Sequence, residues 1–363
     1  MSHSLTLAVE IDGDGRHPQA WRRSLHEPDA ALRPRRWTRV ARGAENAGFT
    51  FATVADTPVA EPGGSAGRLD AVLRSSFGSG LTSRLGWAPQ VHPRAVEPFH
   101  LAAQLASLDH ASRGRGAWLV GDAELTGLAA ALGRDVPTEA ALRQREVLQV
   151  IDAVRRLWDS WDDDAVIKDV PTGRYIDRDR VRYTDIEADT FSIRGASITP
   201  RPPQGHPVVI APDGLLADGE LAGRVDVVLV SHPDLDAAIA RAIEVRGLGV
   251  LAFLDLQVTL DAGATAAERR LALGADPREG EVAAYDGGAD GLVGLLTSIR
   301  GQVDGVRLLP TVIDEDLPVL AGHVLPALSL ARAAHPPRPA QHLRAALGLT
   351  RPANGFDREE ISA

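Results

Sequence analysis

The chain has 363 residues, 44% of them hydrophobic and 24% charged, enough apolar material for a large buried core in two ordinary domains or one α/β barrel. Asp and Glu number 49 against 39 Lys and Arg, a formal net charge of −10, which offers no basic footprint for DNA or RNA and argues against a nucleic-acid partner. Cysteine is absent, which excludes disulfides, thiolate metal centres, iron–sulfur clusters and a cysteine nucleophile.

The first ten residues lack a basic stretch followed by an apolar run, and nothing approaches the roughly 20 apolar residues that span a bilayer. A cytoplasmic protein with no membrane association is expected. Lys168 is the only lysine beside 38 arginines, a bias that reflects GC-rich codons rather than chemistry.

Short β-branched runs alternate with helical patterns from the start. Leu5 to Glu10 reads as a strand, Trp37 to Gly48 as a helix closed by its glycine, and Phe49 to Ala55 as the next strand. The rhythm continues with helix Leu69–Ser76, strand Arg84–Trp87, helix Pro98–Ser107 and strand Ala117–Val120. A long amphipathic helix, Ala140–Trp158, carries Leu142, Val147, Val150, Ile151, Val154 and Leu157 on one stripe. Between residues 160 and 203 turn-forming residues surround the alternating pieces Arg180–Tyr183 and Thr190–Ile193, which predicts a polar hairpin insertion between the fourth helix and fifth strand. Strands are then expected at Pro207–Ala211, Val225–Val230, Leu248–Phe253 and Val306–Leu309. Helices Asp234–Arg246, Ala264–Leu273 and Leu292–Gln302 are assigned to the three gaps. Eight strands with intervening helices predict a single α/β domain over 1–363, a (β/α)8 TIM barrel with insertions, ending in a tail from 336 to 363. A doubly wound open sheet is the competing architecture, but no strand runs directly into a glycine fingerprint.

Several motifs have plain readings. Gly63–Gly67 matches G-x-S-x-G, yet Pro58 to Pro62 separate it from any strand, so it reads as a loop. Asp12-Gly-Asp-Gly15 reads as a turn, because Gln19 and Trp21 stand where further calcium ligands belong. Asp162–Asp164 reads as a solvated run. The eleven histidines show no HxH or HxxxH spacing. In a barrel the C-terminal strand ends carry the active site, so His17 after the first strand, His92 after the third and His232 after the sixth are the functional candidates. Each competes with a hydrogen-bonded structural role.

Ala20-Trp-Arg22, Ala55-Asp56, Glu97-Pro-Phe-His100, Leu108–Ser112 through Arg115, Leu157–Ala165, Pro203-Gln-Gly205, Asp304–Leu308 and Val324–Pro326 appear in order along the chain. Together they resemble the bacterial luciferase-like flavin-dependent monooxygenases, in the branch of nitrilotriacetate and dibenzothiophene-sulfone monooxygenases. The resemblance implies a barrel that takes reduced FMN from a separate, transiently bound flavin reductase, uses O2 to oxygenate a small-molecule substrate, and forms a homodimer. It places Asp56 and Gln90 near the flavin ring, and Leu119, Arg143, Gln144, Asp213, Gly214 and Leu215 at positions that contact flavin. Three of these depart from the family pattern: Leu119 replaces an asparagine, Gln144 a tyrosine and Leu215 a serine. The departures open two alternatives, a flavin-free barrel serving as a binding or partner subunit and an oxidoreductase using the deazaflavin F420. Asp56 as a loop cap and Arg143 as a solvated helix residue are the structural readings of those positions.

Overall fold

The computed structural model describes residues 4–24, 26, 27, 30, 32–57, 67–121, 133 and 139–357. Gly63 to Ala66 lie outside the described residues. Eight parallel strands close a barrel: β1 (Thr6–Glu10), β2 (Phe51–Val54), β3 (Gly86–Val91), β4 (Ala117–Val120), β9 (Val208–Pro212), β10 (Val227–Val230), β11 (Leu251–Leu260) and β13 (Gly305–Pro310). Pairing of β1 with β13 and of β10 with β11 completes the ring. A ninth strand, β12 (Ala283–Gly287), adds to the outer half of β11. This is the expected TIM barrel, not an open sheet.

Local chemistry sets the helices. Helix α1 (Pro34–Ala47) starts on a proline, which needs no amide partner there, and stops at Gly48, whose φ of 99° an L side chain rarely adopts. Helix α2 (Ala71–Ser79) is capped by Asp70, which accepts from Leu73 N, and α3 (Pro98–Ser112) by Glu97, which accepts from Phe99 and His100 N. Helix α4 (Ala140–Trp158) buries the predicted stripe of Val147, Val150, Ile151, Val154 and Leu157. Among the described residues no helix is long and apolar enough to cross a membrane.

Some bounds move for physical reasons. Strand β11 runs ten residues rather than stopping at Phe253, because Asp255, Gln257 and Thr259 turn inward while Leu254, Leu256, Val258 and Leu260 turn outward. The gap between β9 and β10 holds only the short helix α5 (Asp218–Leu221); α6 (Leu235–Gly247) follows β10. Both α7 (Ala266–Leu273) and α8 (Ala289–Ser298) lie between β11 and β13. Between α4 and β9 there are two antiparallel hairpins, β5 (Val166–Asp169) with β6 (Arg174–Ile176) and β7 (Thr184–Glu187) with β8 (Ser192–Gly195). Arg180 ends a 3-10 turn and Tyr183 is exposed, so that piece is not a strand.

The barrel interior has two zones. Ala8, Phe51, Ala88, Ala117, Leu119, Val208, Ile210, Val227, Leu229 and Phe253 fill the lower part, and Leu343 and Leu347 from below seal it. The segment Leu343–Leu347 therefore packs under the barrel: Arg344 donates to Asp226 Oδ1 at 2.6 Å and to His206 O at 2.9 Å. Several motif residues serve this lower face. Asp109 accepts from Gly116 N at 3.0 Å and from Gln204 N and Nε2 at 3.1 and 2.6 Å. Arg115 donates to Leu85 O at 2.6 Å, to Ser79 O and Thr82 O at 3.0 Å, and to Ser112 O at 2.8 Å. Asp162, Asp163 and Asp164 are not merely solvated: they pair with Arg182, with Arg201 and Arg351, and with Arg180. These contacts tie the hairpins and the C-terminal segment to the barrel.

Candidate functional site

The upper zone of the interior is polar and opens at the strand C-termini. Glu10, Asp12 to Pro18, Ala20, Trp21, Ala55, Asp56, Arg68, Gln90, Pro277 and Arg278 line a cavity of about 510 Å³. Its loop is clasped by arginines, Asp12 by Arg74 at 2.6 Å and Arg68 at 3.3 Å, and Asp14 by Arg36 at 2.5 Å. Burial opposes ionisation of Asp14, but hydrogen bonds from His26 and Arg36 outweigh it and hold the carboxyl below the usual range. The Asp12–Gly15 segment is thus a pinned turn. No group of three or more metal-ligating side chains occurs among the described residues.

His17 lines this cavity, nearly buried. Its Nδ1 accepts from Gln19 N at 3.0 Å, which leaves the proton on Nε2, 3.4 Å from Gly274 O. His92, also buried, points Nε2 at Asp56 O, 3.1 Å away, and Gly121 leaves room for its ring, since a Cβ there would sit 2.6 Å from the imidazole. His232 is exposed and accepts from Asp234 N in a turn. Asp56 accepts from Thr57 N and Ala71 N, both at 2.8 Å, so its carboxylate anchors the loop into α2. Gln90 Oε1 accepts from Asp56 N at 3.1 Å, which joins β2 and β3 at the rim.

The other positions that the resemblance matches to flavin are Leu119, beside the ring, and those matched to the phosphate. Leu119 faces inward level with Gln90 and closes the apolar zone from above. Gln144 Nε2 donates to Gly214 O at 3.3 Å. Asp213 is turned away by Arg241, which donates to it at 2.9 Å and also holds Asp218 at 2.6 Å. Hydrogen bonds from Asp218 and then Asp213 raise the Arg241 pKa above its ordinary value. Leu215 is packed into the core, and Gly214 stands at φ +77° with nothing within 4 Å of where a Cβ would lie. Arg143 is half-buried, and its Nε is buried with no hydrogen-bond partner among the described residues. His17, Asp56 and Gln90 therefore gather on the cavity, whereas Gln144 and Gly214 meet on the β9 side, with Arg143 one residue before Gln144 on α4.

Beneath the cavity lining, Glu10 joins a charged cluster that the apolar strand pattern does not reveal. Arg307 on β13 donates to Asp255 on β11 through Nε and Nη2, both at 2.7 Å, and to Thr53 on β2 at 3.4 Å. Ser231 donates to Asp255 Oδ2 at 2.7 Å. Glu10 on β1 sits 3.7 Å from Arg307 Nη1. Above this, Arg16 donates to Gln257 Oε1 at 3.2 Å and to Glu281 at 2.7 Å. The available signal was the alternation Leu254-Asp-Leu-Gln-Val-Thr-Leu260, which puts every polar residue on one face of a strand.

Eight parallel strands closed into a barrel, with a polar cavity at their C-terminal ends, define a TIM-barrel protein whose candidate ligand site is its mouth. Within that class the chain belongs to the luciferase-like monooxygenase family, whose sequence pattern it matches over residues 10–256. It is 29% identical over 239 residues to N-acetyl-S-(2-succino)cysteine monooxygenase of Bacillus subtilis (strain 168), covering 64% of this chain but 54% of that protein, so the chain spans about half of that relative's length. It is 30% identical over 281 residues to one of the subunits of pristinamycin IIA synthase of Streptomyces pristinaespiralis, covering 77% of this chain and 87% of that one. Among solved structures, a riboflavin lyase described with modified FMN and substrate riboflavin superposes with a TM-score of 0.82 at 18% identity, covering 95% of this chain and 96% of that one, a likeness of fold.

Proposed function

We propose that the chain is a flavin-dependent monooxygenase that receives reduced FMN from a separate reductase in the cytoplasm and uses O2 to oxygenate a small organic substrate. The observation that carries this reading is Arg143, whose buried Nε has no partner among the described residues and lies on the helix whose next residue reaches Gly214. A phosphate monoester is the ligand that such an unpaired guanidinium nitrogen and an open glycine turn suit. Asp213 does not oppose it, because Arg241 neutralises that carboxylate. The residues present thus fit the group.

When bound, reduced flavin supplies two electrons and the ring on which O2 reacts. The chain's own residues bind and orient. Arg143 and the Gly214 turn hold the phosphate, Gln90 and Asp56 fix the rim through each other, and the 11–23 loop with Trp21 walls the cavity from water. His17 and His92 present ring N–H groups to carbonyls, so their role is to set loop shape. The same reading includes a homodimer, supported by Leu73 and Phe77, exposed one turn apart on α2; sedimentation that gives a monomer at all concentrations would remove it.

The second reading, a partner protein without flavin, is favoured by Leu215, which is sequestered in the core where a phosphate-binding hydroxyl would stand, and by the relative whose name is that of one component of a multi-subunit synthase. Anaerobic calorimetry of the purified protein with reduced FMN separates them, with F420 in a parallel cell. A dissociation constant near or below about 10 μM, roughly −7 kcal/mol, supports the monooxygenase. Binding of F420 alone redirects the chemistry to hydride transfer, and no binding of either up to about 1 mM leaves the partner-protein reading.

A further inference from the structure

The cavity floor places two inward carboxylates around one guanidinium. Asp255 takes both Nε and Nη2 of Arg307 at 2.7 Å and a third hydrogen bond from Ser231. Glu10, the last residue of β1, makes no side-chain hydrogen bond among the described residues; its nearest cation is Arg307 Nη1 at 3.7 Å. It is also the inward carboxyl that lines the cavity, with 19% of its side chain exposed there. Below it lies the apolar zone of Phe51, Ala88, Leu119 and Phe253. With Arg307 and Arg16 as the cations and Asp255, Asp12 and Glu10 as the carboxylates, such surroundings favour leaving a proton on Glu10, the buried carboxyl that lacks hydrogen-bond donors.

We propose that Glu10 is the proton donor of the mouth, delivering the proton consumed when bound reduced flavin is reoxidised by O2. This rests on the flavin reading above. In the absence of organic substrate the step balances as FMNH⁻ + O2 + H⁺ → FMN + H2O2: two electrons and the ring N–H proton pass from the flavin to O2, the O–H bond of Glu10 breaks to supply the second proton, and two O–H bonds form on the reduced oxygen. The carboxylate left behind faces Arg307. The charged groups turned toward Glu10 act in both directions, and the net effect keeps the proton. Burial pushes its carboxyl above the ordinary range, Arg307 opposes that, Asp12 adds to it, Arg16 opposes it, and Asp255 adds again. Arg307 is thus placed to stabilise the product carboxylate.

The experiment compares wild type with Glu10→Gln, which keeps shape but transfers no proton. Protein in excess over reduced FMN is mixed with O2 between about pH 5 and 9, and reoxidation is followed by absorbance. The wild-type rate should fall as pH rises through the Glu10 pKa. E10Q should be roughly 10²-fold slower at neutral pH or below, without that limb, and with unchanged FMN affinity. The second readout needs no flavin: an infrared spectrum of wild type at neutral pH should show a protonated-carboxyl band that shifts in D2O and is diminished in E10Q. Asp109 and Asp316, whose carboxyls burial also pushes up, contribute equally to both proteins and cancel in the difference. An unchanged band in E10Q, or a pH profile shared by both proteins, overturns the proposal. Failure of wild type to bind reduced FMN sinks the functional reading instead, and shows in the calorimetry alone.

Discussion

Arg307→Leu removes the guanidinium on which Asp255, Glu10 and Thr53 converge. It takes away two 2.7 Å charged hydrogen bonds and leaves Asp255 with Ser231 alone. Breaking a buried ion pair from one side costs about 3–5 kcal/mol, and the surviving serine bond puts this case near about 3–4 kcal/mol. With about 2.1 cal/mol/K of unfolding entropy per residue, 363 residues give roughly 0.76 kcal/mol/K, so the melting temperature should fall by about 4–5 °C. The orphaned group is a carboxylate, so protonation relieves the penalty, and the deficit should be larger at about pH 8 than at about pH 5. The double variant Arg307→Leu/Asp255→Leu removes both charges and should return to within about 1–2 kcal/mol of wild type. Urea unfolding and calorimetry at both pH values measure all three proteins. A single variant within about 1 kcal/mol of wild type at pH 8, or a double variant worse than the single, would refute the account of the barrel floor.

Arg143→Met should weaken reduced FMN binding by roughly 10- to 100-fold through loss of one charge-assisted hydrogen bond, with the melting temperature unchanged; calorimetry and a thermal scan check the two halves. Gly121→Ala would place a Cβ 2.6 Å from the His92 ring and should cost about 1–3 kcal/mol of stability while disturbing the His92 to Asp56 contact, visible in the imidazole NMR signals. Burial holds the His206 pKa below its ordinary 6.5 despite Asp159. A depressed histidine pKa makes stability present above the unfolded value and lost as pH falls below it, by up to about 1.4 kcal/mol per pH unit. His206→Phe should therefore flatten the loss of stability between about pH 6.5 and 5, and parallel slopes in the two proteins would count against it.

The barrel is legible in the sequence because most of its strands are short apolar runs between amphipathic helices. Val208–Pro212 and Val227–Val230 are buried along nearly their whole length, and the Ala140–Trp158 stripe needs only period 3.6. Legibility stops where burial ceases to mean apolarity. Strand β11 is cut short at Phe253 because the next inward residue is Asp255, and β3 is cut before Pro89 and Gln90 because neither reads as a buried strand residue. The polar residues lost this way, Asp255 and Gln90, face the upper interior. The rim positions Asp56, Gln90 and His17 can be found by locating strand ends, but the use made of Asp56 cannot, since the Ala71 amide it accepts from lies 15 residues away. The charged floor is out of reach for a plainer reason. Glu10, Asp255 and Arg307 come from three strands, and only closure of the ring makes Glu10 and Arg307 neighbours.

That closure has a consequence for synthesis. The guanidinium needed by the floor arrives on the last strand of the ring, so a nascent chain that has delivered β1 through β11 holds Asp255 and Glu10 without their cation and two open parallel edges awaiting β13. Open edges invite pairing with other chains, and a buried carboxylate without its cation opposes collapse around it. The arginine that organises the mouth is therefore also the group whose arrival with Gly305–Pro310 closes the ring and supplies the cation at its centre.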